Sequence, residues 1–230
     1  MTRLASILHL LGALSAALPE WVIVNLPGEA GHALRQVVYR RRVRHLGRNV
    51  IFEPGVQLVG AEHMSFGDDC WIDHYAVLLA GPPGSTGRRV TRRPNAAYAG
   101  AEGELTVGPG CHIAPHTVIS AHGGVRIGRN TTIAAGGRVY SLTHHHANAD
   151  DPADGFPYRF SSRAPAGEQS LIASPVWIGD DAGVGLNAVV LPGSTIGDRT
   201  WVGAASLVRG ELPADAIAVG VPARPRPRAG

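Results

Sequence analysis

Aliphatic residues recur every six positions along most of the chain. Ile178, Val184, Val190, Ile196, Val202 and Val208 follow one another without a slip. The same step gives Val107, Ile113 and Ile119, then, after two extra residues, Ile127, Ile133 and Val139. Earlier it gives Phe66, Ile72 and Leu78 and, more weakly, Leu46, Phe52 and Leu58. The two-residue slips follow Leu58 and Ile119, each the third member of a triplet, so the larger unit is three hexads. A period of six fits neither the helical repeat of about 3.6 nor the plain alternation of a long strand. It fits short strands that each send one aliphatic inward and meet at tight corners. Three such strands close a triangle of about 18 residues, and stacked triangles bury a continuous aliphatic ladder.

The position after each anchor is Gly at 47, 67, 108, 128, 179, 185, 197 and 203, and Ala at 114 and 134. Small residues are expected there, where backbone approaches backbone or takes an unusual φ. Four residues after the anchor the side chains are again short, as at Ala76, Thr117, Thr131, Ala182, Ala188, Ser194, Thr200 and Ser206. Two stretches break the period: 79–106, rich in Gly, Pro and Arg, and 140–177, which contains three consecutive His. Long excursions from a rigid repeat are where function concentrates.

Upstream of the repeat, residues 4–26 are almost wholly apolar, with His9 and Glu20 as exceptions. Leu34, Val37, Val38 and Val43 then fall near helical spacing among many Arg. Two N-terminal helices are predicted. Pro19-Glu20 cuts the apolar run to about 15 residues, short of a straight bilayer span. A helical cap or an oligomer contact is the plain reading; a basic, apolar helix lying on a membrane surface is the sharper one.

Composition narrows the class. Gly 30 and Pro 17 make a fifth of the 230 residues, and hydrophobic residues are 44%. That excludes disorder, collagen and a disulfide scaffold. Aromatics are only 6%, so the core is built from small aliphatics. The net charge of +3 is uneven: residues 1–50 carry seven Arg against two Glu, with further clusters at Arg88, Arg89, Arg92 and Arg93 and at Arg224, Arg226 and Arg228. Three separate patches are not the continuous basic face of a nucleic-acid binder, so no nucleic-acid partner is expected. Cys70 and Cys111 have no C-x-x-C spacing and read as free thiols in a reducing cytoplasm.

The repeat over 46–223, and above all the run from Pro175 to Ala223, resembles the hexapeptide-repeat acyltransferases, with likeness to maltose- and galactoside-type O-acetyltransferases and to polysaccharide-biosynthesis acetyltransferases. The resemblance implies an all-β, left-handed parallel β-helix of about six triangular coils. It divides the chain into an N-terminal helical segment (1–45), a β-helix domain (46–212) with insertions at 79–106 and 140–177, and a C-terminal tail (213–230). It further implies acetyl-CoA as co-substrate, no metal, a sugar or glycan-precursor acceptor, and a homotrimer with its active site between adjacent prisms. A cytoplasmic location is expected, with peripheral contact at the inner membrane through 4–26 as the sharper variant.

Tyr140-Ser141-Leu142-Thr143-His144 follows the anchor Val139 and is similar to the Tyr-Thr-x-Thr-His segment of those O-acetyltransferases. The resemblance places the catalytic base at His144. A branch with x-His-x-His leaves His146 as its competitor. An imidazole suits the task, because a thioester is already activated and only a proton must leave the attacking hydroxyl or amine. Asp73, just after Ile72, matches the corner where relatives hold the acceptor with Asn or Asp. Asp150, Asp151, Asp154 and Glu168 could orient the His or bind acceptor hydroxyls. Gly185, Gly203 and Ala204 offer bare corners to a pantetheine arm, and Arg224 could meet the CoA phosphate. Gly220-Val221-Pro222-Ala223 matches the closing Gly-Asn-Pro-Ala segment of the family except at Val221.

Other readings stay open on the residues alone. The His run with His112, His116 and His122 could ligate a metal, as in γ-class carbonic anhydrases on the same prism. However, His116 and His122 are one hexad apart and point from different faces. N-acyl transfer to an amino sugar is a further alternative, and a purely structural prism is the non-enzymatic one.

Overall fold

The computed structural model describes residues 18–84, 87–148 and 153–227. The hexads form strands of two or three residues that stack coil upon coil into three parallel sheets. Sheet A has seven strands and carries the anchors Leu46, Phe66, Val107, Ile127, Ile178 and Ile196, and then Leu212. Sheet B carries Phe52, Ile72, Ile113, Ile133, Val184 and Val202, and sheet C carries Leu58, Leu78, Ile119, Val139, Val190 and Val208. Together they are the faces of a left-handed parallel β-helix. The register is anchor on anchor: Phe66 on Val107, Ile72 on Ile113, Ile119 on Val139. Every hexad anchor is buried except Leu58, which is partly so.

The corners explain the composition. Left-handed φ falls three residues after the anchor, at Asn49, Asp69, Gly110, Asn130, Asp181, Arg199 and Asp215 on one edge and at Gly55, Tyr75, His116, Gly136, Asn187 and Ala205 on the next. The Gly directly after an anchor does not take it, contrary to one half of the expectation for that position. Its reason is close approach alone. A Cβ on Gly108 would lie 2.7 Å from the carbonyl carbon of Gly128 and 2.8 Å from the amide nitrogen of Arg129, both backbone atoms of the next coil.

The short residues four after the anchor form a second buried column. Thr131 Oγ1 donates to the Gly179 carbonyl at 2.8 Å and Ser194 Oγ to the Val208 carbonyl at 3.2 Å. Cys70 and Cys111 occupy the same column as free, buried thiols, and Cys111 Sγ lies 2.8 Å from the Gly128 carbonyl. Burial pushes the Cys111 thiol up to about 12, so it is an inert packing group.

At the N-terminal end, a helix covering 18–25 and the helix Gly28–Arg40 close the first coil. Tyr39 meets Phe52 edge-on, and Phe52 meets Phe66 in the same way, so aromatics fill the mouth of the prism. Arg35 is fully buried and ties the cap down: its guanidinium donates to the carbonyls of Phe52, Leu26 and Ile23. Among the described residues no helix is long and apolar enough to cross a membrane. Residues 4–17 of the apolar stretch lie outside the described residues.

Two regions differ from the expectation. The insertions are not wholly irregular: Arg89–Arg92 from the first pairs in parallel with Ser170–Ala173 from the second, which pairs antiparallel with Leu142–His144. Each segment is too short to announce itself, and the pairing joins residues about 80 apart in the chain. Residues 213–227, expected as a tail, continue the prism instead: Ala216–Gly220 joins sheet B and pairs antiparallel with Ala223–Pro227. The proline-rich composition hides that hairpin, whose edge position tolerates the missing N–H groups of Pro225 and Pro227.

Close approach at the corners is open to test. Gly108→Ala should cost about 1–3 kcal/mol in urea unfolding, because only backbone can give way. Gly167→Ala, where nothing lies within 4 Å, should stay within about 0.5 kcal/mol.

Candidate active site

Two edges of the prism carry the chemistry. The first is the turn from sheet B to sheet C, where the residue after each anchor reads Glu53, Asp73, Ala114, Ala134, Gly185 and Gly203 from coil to coil. The edge passes from acidic to small to bare. At its acidic end Asp73 is only 7% exposed. Its Oδ1 accepts from the His74 backbone N–H at 2.7 Å and faces His74 Nδ1 at 2.7 Å, while Oδ2 faces His112 Nε2 at 3.3 Å. Burial alone would raise its pKa, but the hydrogen bonds from His74 and His112 outweigh it and hold the carboxyl below its usual range. Glu53, one coil below, binds His32 Nε2 at 2.9 Å and accepts from Trp71 Nε1 at 3.2 Å, and the Trp71 ring stacks on His112 at 4.5 Å.

At its bare end the same edge borders a groove of about 380 Å³ lined by Thr132, Ala134, Gly183, Gly185 and Trp201. The missing side chain of Gly183 opens a notch between Thr132 and Trp201, its neighbours on the outer face of sheet B. Gly185 packs on the next coil: a Cβ on it would lie 2.6 Å from the Ala204 amide nitrogen and 2.8 Å from the Gly203 carbonyl carbon. Gly203 in turn is covered by Val219, the hairpin partner of Arg224. Gly185, Gly203, Ala204 and Arg224 are thus brought together along one line, with Arg224 exposed on an ordered strand.

The second edge is the turn from sheet C to sheet A, where both insertions leave the prism. His144 ends the strand Leu142–His144, directly opposite Leu171. Its Nε2 is enclosed and has no hydrogen-bond partner among the described residues, and the same holds for the Ser170 hydroxyl. The Phe160 ring lies 5.0 Å from the imidazole and is itself 74% exposed, so it covers His144 without being packed in place. His146 is exposed, 5.7 Å ring to ring from His145. Burial, then His146 and Arg93, lower the pKa of His145, so the middle imidazole of the run resists protonation.

Around this strand the second insertion is held by Asp154. It accepts from the Phe156 backbone N–H at 2.9 Å and from the Tyr158 hydroxyl at 2.7 Å, and it pairs with Arg89, which also lies 4.1 Å over the Phe156 ring. These bonds pull its carboxyl down to about 2. Glu168 is 3.4 Å from Arg159, and Asp150 and Asp151 lie outside the described residues. His116 stacks on Tyr75 at the first edge, whereas His122 sits at the second with Nδ1 2.8 Å from the Gly81 carbonyl. No group of three or more His, Cys, Asp or Glu among the described residues is arranged to hold a metal.

Within one chain, then, Asp73 shares an edge with the glycine groove and His144 and His146 occupy another. Glu53, His74, Phe160 and Ser170 escaped the sequence reading, and His112 entered it only as a possible metal ligand. Glu53 leaves a signal, since like Asp73 it stands where other coils of that edge have Gly or Ala; the ring contacts of Phe160 leave none.

No family model matches the chain. A putative lipopolysaccharide biosynthesis O-acetyl transferase, WbbJ of Escherichia coli K12, is 38% identical over 102 residues, 44% of this chain and 48% of that one, so the match spans about half the length of this curated relative. A dTDP-4-amino-4,6-dideoxy-D-glucose acyltransferase from Escherichia coli is 23% identical over 182 residues, 79% of this chain and 80% of that one. Among solved structures, a point mutant of AntD, an N-acyltransferase from Bacillus cereus in complex with dTDP and Coenzyme A, superposes with a TM-score of 0.64 at 20% identity, over 84% of this chain and 87% of that one.

The Asp154 clamp has a defined pH window. A carboxyl that titrates at about 2 when folded, against 3.8 otherwise, stabilises the folded loop above 3.8 and loses that contribution as pH falls through about 2. Slow exchange of the Phe156 amide should persist at pH 4, fade toward pH 2, and be absent at both in Asp154→Ala.

Proposed function

We propose that this chain, a relative of the hexapeptide-repeat acetyltransferases, moves an acyl group, acetyl in the first instance, from a CoA thioester to a hydroxyl of a sugar or glycan precursor. The observation that carries the reading is the enclosed, unpartnered His144 Nε2, on a strand that begins three residues after the last anchor of a coil. An imidazole nitrogen buried without a partner costs about 1–3 kcal/mol unless something arrives to bond it. An acceptor hydroxyl is such a group.

In this reading His144 takes the proton of the attacking oxygen as it bonds to the thioester carbonyl, and returns it to the sulfur as the carbon–sulfur bond breaks. His146, exposed beyond the strand, is the less favoured base. The Gly185 groove, with Gly203 and Ala204 behind it, takes the slender pantetheine arm, and Arg224 neutralises phosphate. Asp73, kept ionised by His74 and His112, accepts from an acceptor hydroxyl. A stack of half-buried imidazole and exposed indole at His112 and Trp71 offers that sugar a flat apolar face.

These parts lie on two edges, so a complete site calls for the second edge of one prism against the first edge of another. That favours a closed ring of three copies, each supplying His144 to its neighbour. A cytoplasmic location suits a CoA donor. Exposed Leu18 and Trp21 beside the basic cap favour peripheral contact with a membrane that carries a lipid-linked acceptor. N-acyl transfer to an amino sugar is the second reading, supported by the dTDP-4-amino-4,6-dideoxy-D-glucose acyltransferase, matched over 80% of its length.

Two measurements test this. His144→Ala should keep the wild-type melting curve and lose about 10²–10⁴-fold in thiol release from acetyl-CoA with hydroxyl acceptors. Co-purified His144→Ala and Asp73→Ala chains, each inactive alone, should recover part of the activity, since a mixed ring contains interfaces with both residues intact. Absence of recovery in rings shown to be mixed would remove the shared site.

A further inference from the structure

A second cavity, of about 150 Å³, opens between the two insertions and is lined by Pro82, Pro83, Arg88, His122, Leu142 and Leu171. Successive side chains of a strand alternate faces, so Leu142 shares its face with His144. Leu171 stands directly opposite His144 in the antiparallel pair, on that same face. The cavity wall is therefore the face of the small sheet that carries the His144 imidazole.

Its two polar groups have fixed roles. His122 Nδ1 is 2.8 Å from the Gly81 carbonyl oxygen. A carbonyl only accepts, so Nδ1 bears the hydrogen, and Nε2 of the neutral ring is an acceptor. Arg88 Nε donates to Gln169 Oε1 at 2.9 Å, and Gln169 is held by its own bond of 2.5 Å to the Ala164 carbonyl. The terminal nitrogens of Arg88 have no partner among the described residues and remain donors.

We propose that this cavity is an acceptor subsite for a hydroxyl group other than the one acylated, bound by donation to His122 Nε2 and acceptance from Arg88. The proposal rests on the sugar-acyltransferase reading and adds to it which residues choose the sugar. Only a group that both donates and accepts satisfies the pair. A carboxylate would bond Arg88 but meet a lone pair at Nε2, and an ammonium would be repelled by the guanidinium. A water in the liquid takes about 30 Å³, so the space admits one edge of a hexose and not a whole ring.

The test uses the full-length protein labelled with ¹⁵N-histidine, with methyl gluco-, galacto- and mannopyranoside as probes. His122 should show the Nδ1–H tautomer, and at least one probe should shift its Nε2 resonance while the matching methyl uronoside does not. With that glycoside as acceptor, removing the bound hydroxyl (a monodeoxy analogue) should lower kcat/KM about tenfold in wild type and leave His122→Phe unchanged, with the melting curve of the variant as the check on folding. An Nε2–H tautomer, or no shift with any of the three probes, overturns the subsite. A shift without thiol release leaves the subsite standing and removes the acyl-transfer reading. Thiol release that neither the deoxy analogue nor His122→Phe alters does the reverse.

Discussion

Stacked coils run at strand separation, roughly 4.8 Å, and at the corner after each inward aliphatic of sheet A, from Leu46 to Ile196, that leaves no space for a side chain. Everything else in the molecule is arranged around this constraint. It demands Gly at 108 and 128, and it keeps the prism narrow enough to be filled by single Val, Ile and Leu side chains. Where the edge from sheet B to sheet C relaxes the rule, at Glu53 and Asp73, the extra atoms are carboxylates enclosed by His32, His74, His112 and Trp71. One line of corners is thus polar at the N-terminal coils and bare at the C-terminal ones. The polar end suits a hydroxylated acceptor, and the bare end a thin thioester arm.

A frame this regular has no internal flexibility to spare, and the irregular chemistry is pushed out to the insertions. They are held by pairing with each other, through Val90, Leu171 and His144 in successive strands, and by the Asp154 clamp. That support explains how an imidazole nitrogen can stay enclosed without a partner: the strand cannot shift to satisfy it, and Phe160 covers it from the solvent side. A loosely held ring over a rigidly held imidazole is an arrangement in which a ligand can displace the ring and leave the imidazole in place.

The prism was legible because its constraint repeats. The anchors, the triplets and the post-anchor Gly each recur often enough to be read from residues alone, and the resemblance of the segment after Val139 to O-acetyltransferases singled out His144, with His146 as its competitor. Three things were not legible. The left-handed corner positions are held by Asn, Asp, Gly, His, Tyr and Arg alike, a mixture with no clear pattern. Strands Arg89–Arg92 and Leu142–His144 exist only because distant segments pair, which local composition does not report. The closing hairpin at 216–227 is masked by Pro225 and Pro227, which an edge strand accepts.

On the proposed reading, the base and the thioester groove come from different edges and meet only between copies of the chain. A structure of the protein with CoA bound tests it most directly. The pantetheine arm should lie along Gly185 and Gly203 of one copy, with its sulfur within hydrogen-bond reach, about 3–3.5 Å, of His144 from the adjacent copy. A sulfur lying beside His144 of the same chain, or one with no imidazole near it, would contradict it.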